Sequence, residues 1–142
     1  MNEYRALRIL KKKLIEHKRK AEITQNKNYY VGAITLDKKG NILSIGFNNY
    51  LKTHPYQKML SEKHFKEDKV FLHAEISALI KCNSTPYALI VARIGKTEST
   101  FRIAKPCCIC QAAIKLSSIK KVYFTNDQGE LVLLNLSELK SE

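Results

Sequence analysis

Tyr4, Leu7, Leu10 and Leu14 recur every three or four positions, and Arg5, Arg8, Lys12, Lys13, Arg19 and Lys20 fill much of the remaining surface. That period is the period of one helix face, so residues 3–22 are predicted to form an amphipathic helix whose leucine stripe packs on a sheet. The period then shortens. Tyr29 to Leu36 is rich in β-branched and aromatic residues, Asp37-Lys38-Lys39-Gly40 is turn-forming, and Asn41 to Phe47 repeats the strand pattern. Two such strands across so short a turn make a hairpin.

From Asn48 to Lys69 the chain is polar and basic and carries Pro55. It is predicted to be a long connection of the functional kind, with a short helix around Gln57 to Phe65. A helix is expected over His73 to Lys81. Tyr87 to Ile94 is almost continuously apolar, the pattern of a strand buried on both faces. After a polar loop at 96–100, Phe101 to Ala104 leads into a helix over Cys107 to Leu116, and Lys121 to Thr125 is a further buried strand. Asn126-Asp127-Gln128-Gly129 is a tight turn before a last strand, Leu131 to Leu134; a turn that short joins antiparallel neighbours only. Ser137 to Lys140 is expected to add a helical turn. This order predicts an α/β fold: a three-layer α/β/α sandwich around a mixed sheet of about five strands, the last two an antiparallel hairpin. No repeat or linker interrupts the 142 residues, so one domain over 1–142 is expected.

Composition narrows the setting. Hydrophobic residues at 44% argue against disorder. The longest apolar run, Tyr87 to Ala92, is far too short to span a bilayer, so no membrane partner is expected. Basic residues interrupt every apolar stretch near the N-terminus, which leaves the cytoplasm as the expected compartment. A net charge of +12 draws the chain to phosphate, on a nucleotide, on nucleic acid or on a membrane surface. The plainer reading is a solvated basic face, because much of the charge sits in the first helix.

Two short stretches carry chemistry: His73-Ala74-Glu75 and Pro106-Cys107-Cys108-Ile109-Cys110. Zinc favours imidazole and thiolate in tetrahedral geometry, and a catalytic zinc takes three protein ligands and keeps one position open. His73, Cys107 and Cys110 supply three. Each stretch opens a predicted helix, where free N–H groups and the positive dipole end stabilise thiolate. Glu75 is too close to His73 on a regular helix to share a tetrahedral ion comfortably. It is instead placed to take a proton from the water that the metal activates and to return it later, base and then acid on one residue. A lone Cys-x-x-Cys is also compatible with redox chemistry or a structural zinc. A structural zinc wants a fourth ligand, however, and Cys82, Cys108, His54, His64 and His17 have no matching spacing. Cys108 is expected to face away from the metal, Cys82 to be a buried small hydrophobe, and His17 to be solvated on its helix.

H-x-E followed by P-C-x-x-C is the pattern of zinc-dependent nucleobase deaminases. With Val31-Gly32-Ala33 and Gly46-Phe47-Asn48, the chain resembles the cytidine deaminase-like superfamily from about Tyr29 to Leu136. The resemblance implies the same sandwich, a Zn²⁺ cofactor on His73, Cys107 and Cys110, and proton shuttling by Glu75. It implies substrate contacts from Asn48 to the sugar and from the Ala74 N–H to the pyrimidine carbonyl, with Pro106 beside them. A homo-oligomer is implied as well. Within the superfamily, the closing hairpin resembles the free-cytidine enzymes. Lys105-Pro106-Cys107 and His73-Ala74-Glu75-Ile76 resemble the deoxycytidylate side. The expected reaction is hydrolytic deamination of cytidine, deoxycytidine or dCMP, with Lys52, His54 or Lys58 available to a 5′-phosphate. The alternative is deamination of cytosine or adenine in single-stranded nucleic acid, with the basic helix as a backbone clamp. Aromatic residues at 8%, without tryptophan, offer no evident stacking patch for that alternative.

Overall fold

The computed structural model describes residues 2–21, 29–63, 71–95 and 100–136. In chain order its elements are α1 (Glu3–Ala21), β1 (Tyr29–Leu36), β2 (Ile42–Phe47), β3 (Asn49–Thr53), α2 (Pro55–Lys63) and β4 (Phe71–Leu72). They continue with α3 (Ala74–Lys81), β5 (Ala88–Gly95), β6 (Phe101–Arg102), α4 (Cys108–Leu116), β7 (Lys121–Thr125) and β8 (Leu131–Leu134). The main sheet runs β2-β1-β5-β7-β8, with β6 paired to the end of β5. β1 is antiparallel to both β2 and β5, β5 is parallel to β7, and β7 is antiparallel to β8. The mixed sheet and both hairpins therefore stand as the residue pattern predicts.

Turn chemistry fixes the first hairpin. Asp37 Oδ1 accepts from the backbone N–H of Lys39 and of Asn41, at 2.9 and 2.8 Å. Gly40 has φ +92°, a conformation that side chains other than glycine rarely adopt.

Side-chain alternation divides the sheet into two faces. Tyr30, Ile34 and Leu36 of β1 and Ala88, Ile90, Ala92 and Ile94 of β5 pack against Leu7, Leu10 and Leu14 of α1. Ala33, Leu89, Val91, Val122 and Phe124 face the other way, onto Ala74 and Ala78 of α3 and Ile114 of α4. This is the three-layer sandwich. A further cluster of Leu60, Ile76, Ile109, Cys110 and Ala113 binds α2 to α3 and α4.

α3 lies directly on β2 at Gly46. A Cβ there would sit 2.3 Å from the Ala78 nitrogen and 2.7 Å from the Ala74 carbonyl oxygen, so only glycine permits the approach. Ser44 Oγ donates to the Ala78 carbonyl at 2.7 Å and adds a second anchor.

The structure departs from the pattern in three places. Residues 49–63 and 71–72 carry more regular structure than a polar connection: β3 and β4 pair as a second small sheet, and the helix begins at Pro55. Proline suits the first helical position because its missing N–H would be unpaired there anyway. Tyr4 is 48% exposed and leaves the buried stripe, and its hydroxyl instead accepts from the Leu131 N–H at 3.1 Å. Its place in the core is taken by Ala6. Phe101–Arg102 forms a short strand rather than a plain lead-in. The expected turn at Ser137 to Lys140, the loop at 96–99 and His64 lie outside the described residues.

Candidate active site

His73 is the N-cap of α3 and Cys107 the N-cap of α4, and neither side chain caps its own helix. Cys110 follows one turn into α4 and is fully buried. His73 Nδ1 lies 3.3 Å from Cys110 Sγ and 3.6 Å from Cys107 Sγ, and the three ligand atoms fall within 4.8 Å of one another. Tetrahedral zinc with ordinary Zn–S and Zn–N lengths sets its ligand atoms about 3.5 Å apart. Two thiols and an imidazole at these separations fit zinc.

The backbone holds these residues in place. The His73 N–H donates to Gln57 Oε1 of α2 at 3.2 Å, and the His73 carbonyl accepts from Ser77 at 2.9 Å. Gln111 Nε2 donates to the Pro106 carbonyl at 2.7 Å, and the Gln111 N–H donates to the Cys107 carbonyl at 2.8 Å. Gln57 is fully buried and was not singled out by the sequence. No spacing rule connects a helix residue in the connecting segment to a histidine 16 positions later.

Glu75 is only 6% exposed and points among the thiols. Burial raises its carboxyl above the usual range, opposed by the charge of His73 and a hydrogen bond with Cys110. Of the two thiols, Cys107 releases its proton first: hydrogen bonds with Cys110 and His73 hold it far below the ordinary thiol value. Burial holds Cys110 up. Binding zinc draws the proton from both, since the thiolate is the ligand.

Ala74 is fully buried, its carbonyl pressed toward Gly46. Pro106 is buried beside Cys107. Asn48 is held to β1 twice: its Oδ1 accepts from the Val31 N–H at 3.0 Å, and its own N–H donates to the Val31 carbonyl at 3.1 Å. The next residue, Asn49, pairs with Leu72, which precedes His73. One pairing step thus carries Asn48 to the metal ligand.

The remaining candidates separate from this cluster. Cys108 is exposed, as expected from its place between the ligands. Cys82 is half-buried and its thiol donates to the Ser84 carbonyl at 3.2 Å. His54 Nδ1 accepts from the Tyr56 N–H at 3.1 Å and so caps the start of α2. His17 is not solvated as its helix position suggested. Its ring stacks on Phe47 at 4.4 Å and 6°, and burial lowers its pKa despite a hydrogen bond to the Asn48 backbone. The basic helix α1 lies across the sheet from α3 and α4, on the face away from the metal ligands. No helix among the described residues is long and apolar enough to cross a membrane.

Comparison with known proteins bears on this geometry. The profile of the cytidine and deoxycytidylate deaminase zinc-binding region matches residues 6–126. Among solved structures, the cytidine deaminase of Burkholderia pseudomallei aligns with TM-score 0.52 at 23% identity, over 89% of this chain and 92% of that one. The cytidine deaminase of Mycobacterium leprae aligns with TM-score 0.52 at 14% identity, over 96% and 98%. At those identities both speak for the fold alone. No curated protein sequence matches the chain. With a zinc-compatible triad at two helix starts, a shared sandwich and a profile spanning most of its length, the chain belongs to the cytidine and deoxycytidylate deaminase family of zinc-dependent hydrolases.

Proposed function

We propose that this protein hydrolyses the exocyclic amine of a cytosine nucleoside or nucleotide, cytidine, deoxycytidine or dCMP, to give the uracil product and ammonia. The observation that carries the reading is a buried carboxyl, Glu75, set against the His73, Cys107 and Cys110 cluster. Bound zinc supplies Lewis-acid polarisation of water at neutral pH. Glu75 takes a proton from the attacking water as oxygen bonds to pyrimidine C4, and delivers it to ring N3. A second proton passes through the same carboxyl to the amine, and the C4–N bond breaks to release ammonia. Burial strengthens the hold of this carboxyl on a proton, which favours taking one from water.

Substrate contacts in this reading come from three residues. The Ala74 N–H, at the start of α3, donates to the pyrimidine carbonyl. Asn48 has its Oδ1 committed to Val31, so its amide NH₂ is the group left to meet the sugar. Pro106 forms an apolar wall beside Cys107. Thiolate ligands suit a reducing compartment such as the cytoplasm, and a homo-oligomer is the expected assembly.

A second reading, deamination of a base in single-stranded nucleic acid, draws on the +12 charge. It loses its proposed clamp, because α1 lies on the face away from the cluster. The experiment is ammonia release with product mass, using zinc-loaded protein on cytidine, deoxycytidine, their monophosphates, adenine and guanine nucleosides, and single-stranded DNA and RNA. Turnover of a small cytosine compound is expected. Turnover confined to strands overturns the small-molecule reading.

A further inference from the structure

Arg93 interrupts an otherwise apolar strand, Ala-Leu-Ile-Val-Ala-Arg-Ile-Gly in β5. It has the parity of Leu89 and Val91, so it belongs to the sheet face that carries α3 and α4. Its guanidinium carbon stacks 3.9 Å from the Tyr29 ring centroid. Its Nε is closed off from solvent and has no hydrogen-bond acceptor, and no carboxylate pairs with it among the described residues. A buried N–H without an acceptor is costly, and on a half-buried side chain whose terminal nitrogens are not closed off it marks a position suited to a ligand that brings its own acceptors. Stacking on an aromatic ring restrains the fork and leaves its Nη1/Nη2 edge for bidentate contact. Arg102, directly across from Arg93 on β6, adds a second positive charge at this point.

The place in the fold selects the ligand. On β1, the register partner of Arg93 is Val31, the residue that holds Asn48. On the other side, β6 leads through Ala104 to Pro106 and Cys107, with Ala104 tied to β7 by its N–H to the Thr125 carbonyl at 2.9 Å. Arg93 thus stands between the two segments that enter the metal cluster. It lies near the carboxyl end of β5, which runs parallel to β7 with α4 between them in the chain, and ligands of such sheets bind beyond the carboxyl ends of the strands.

We propose that Arg93 binds the 5′-phosphate of the substrate, which makes the substrate a cytosine nucleoside 5′-monophosphate rather than a free nucleoside. The proposal rests on the deaminase reading for the cytosine, and on Arg93 alone for the phosphate. It takes the place of the sequence-based candidates Lys52, His54 and Lys58, of which His54 has its Nδ1 used in capping α2.

The test uses the zinc-loaded protein with Arg93→Gln and Arg93→Lys. Calorimetric binding of uridine 5′-monophosphate against uridine reads phosphate recognition without turnover. kcat/KM for CMP and dCMP against cytidine and deoxycytidine reads it during turnover. In the native protein the monophosphates are expected to bind and react about ten- to a hundredfold better, the worth of charged hydrogen bonds. Arg93→Gln brings that ratio close to one, and Arg93→Lys recovers part of it. Equal values for nucleoside and monophosphate in the native protein overturn the proposal. So does a loss in Arg93→Gln that falls equally on both. Arg93-dependent deamination of a short oligonucleotide, exceeding that of the monophosphate, also overturns it by assigning the residue to a strand phosphate. Arg93-dependent binding of uridine 5′-monophosphate without ammonia from any cytosine compound sinks the deaminase reading and upholds the phosphate subsite.

Discussion

Glu75 and the two cysteines differ in what their loss removes. Glu75→Gln keeps the shape of the carboxyl but cannot carry a proton, so zinc is expected to stay at one per chain while kcat falls about 10²- to 10⁴-fold. Metal analysis and ammonia release on the same preparation check both halves. Cys107→Ala and Cys110→Ala remove thiolate ligands and are expected to lose the metal; full zinc in both variants would take them out of the site. These roles are legible in the sequence because the ligand pairs are local: two residues from His73 to Glu75, three from Cys107 to Cys110. Gln57, His17 and Arg93 are not legible, because each acts through a partner far along the chain and none follows a spacing rule.

His17 gives the residue scale its pH dependence. Burial, with the charges of Lys81 and Lys20, sets its folded pKa below the unfolded value of 6.5, against a hydrogen bond to Asn48 that opposes the shift. The unfolded chain therefore binds the proton more readily. The stability that neutral His17 contributes is present above pH 6.5 and is lost as pH falls through the lower, folded value. His17→Phe keeps a ring on Phe47 and removes the titration. Melting curves between pH 7.5 and pH 5, in steps of about half a unit, are expected to show a smaller acid-side drop in this variant than in the native protein.

At the scale of elements, the contact between β2 and α3 governs the metal site, because the start of α3 carries His73. Gly46→Ala places a methyl against backbone atoms that cannot rotate away. The helix must shift, at a cost of about 1–3 kcal/mol in stability, and it takes its N-cap with it. Both a lower melting temperature and weaker zinc affinity are expected; normal zinc affinity in a destabilised variant would show that the cap moves independently of the helix. β1, β5 and β7 were readable because each buries a full face, and β2 and β8 because a short turn ties each to one of those strands. β3 and β4 were not, since their order comes from pairing with each other, whereas α2 was readable as a short helix but not in its start at Pro55. Local polarity hides such elements.

At the scale of the whole molecule, charge and catalysis separate. α1 carries eight basic and two acidic residues, +6 of the net +12. Arg5, Arg8, Lys12 and Arg19 lie on the exposed side of the helix, while Leu7, Leu10 and Leu14 are buried against the sheet. The metal cluster is on the other side of that sheet. Sequence gives the amount of charge but not the side, because the side depends on which face of the sheet each helix covers. Replacing Arg5, Arg8, Lys12 and Arg19 together with glutamine is therefore expected to leave kcat/KM for cytosine mononucleotides unchanged at physiological salt. Any affinity for single-stranded nucleic acid should fall in the same variant, and its salt slope should flatten by roughly 0.7 for each phosphate contact removed. A parallel loss of deamination would mean that long-range attraction from the far face steers substrate into the site, and that loss should then vanish as salt shortens the reach of the field.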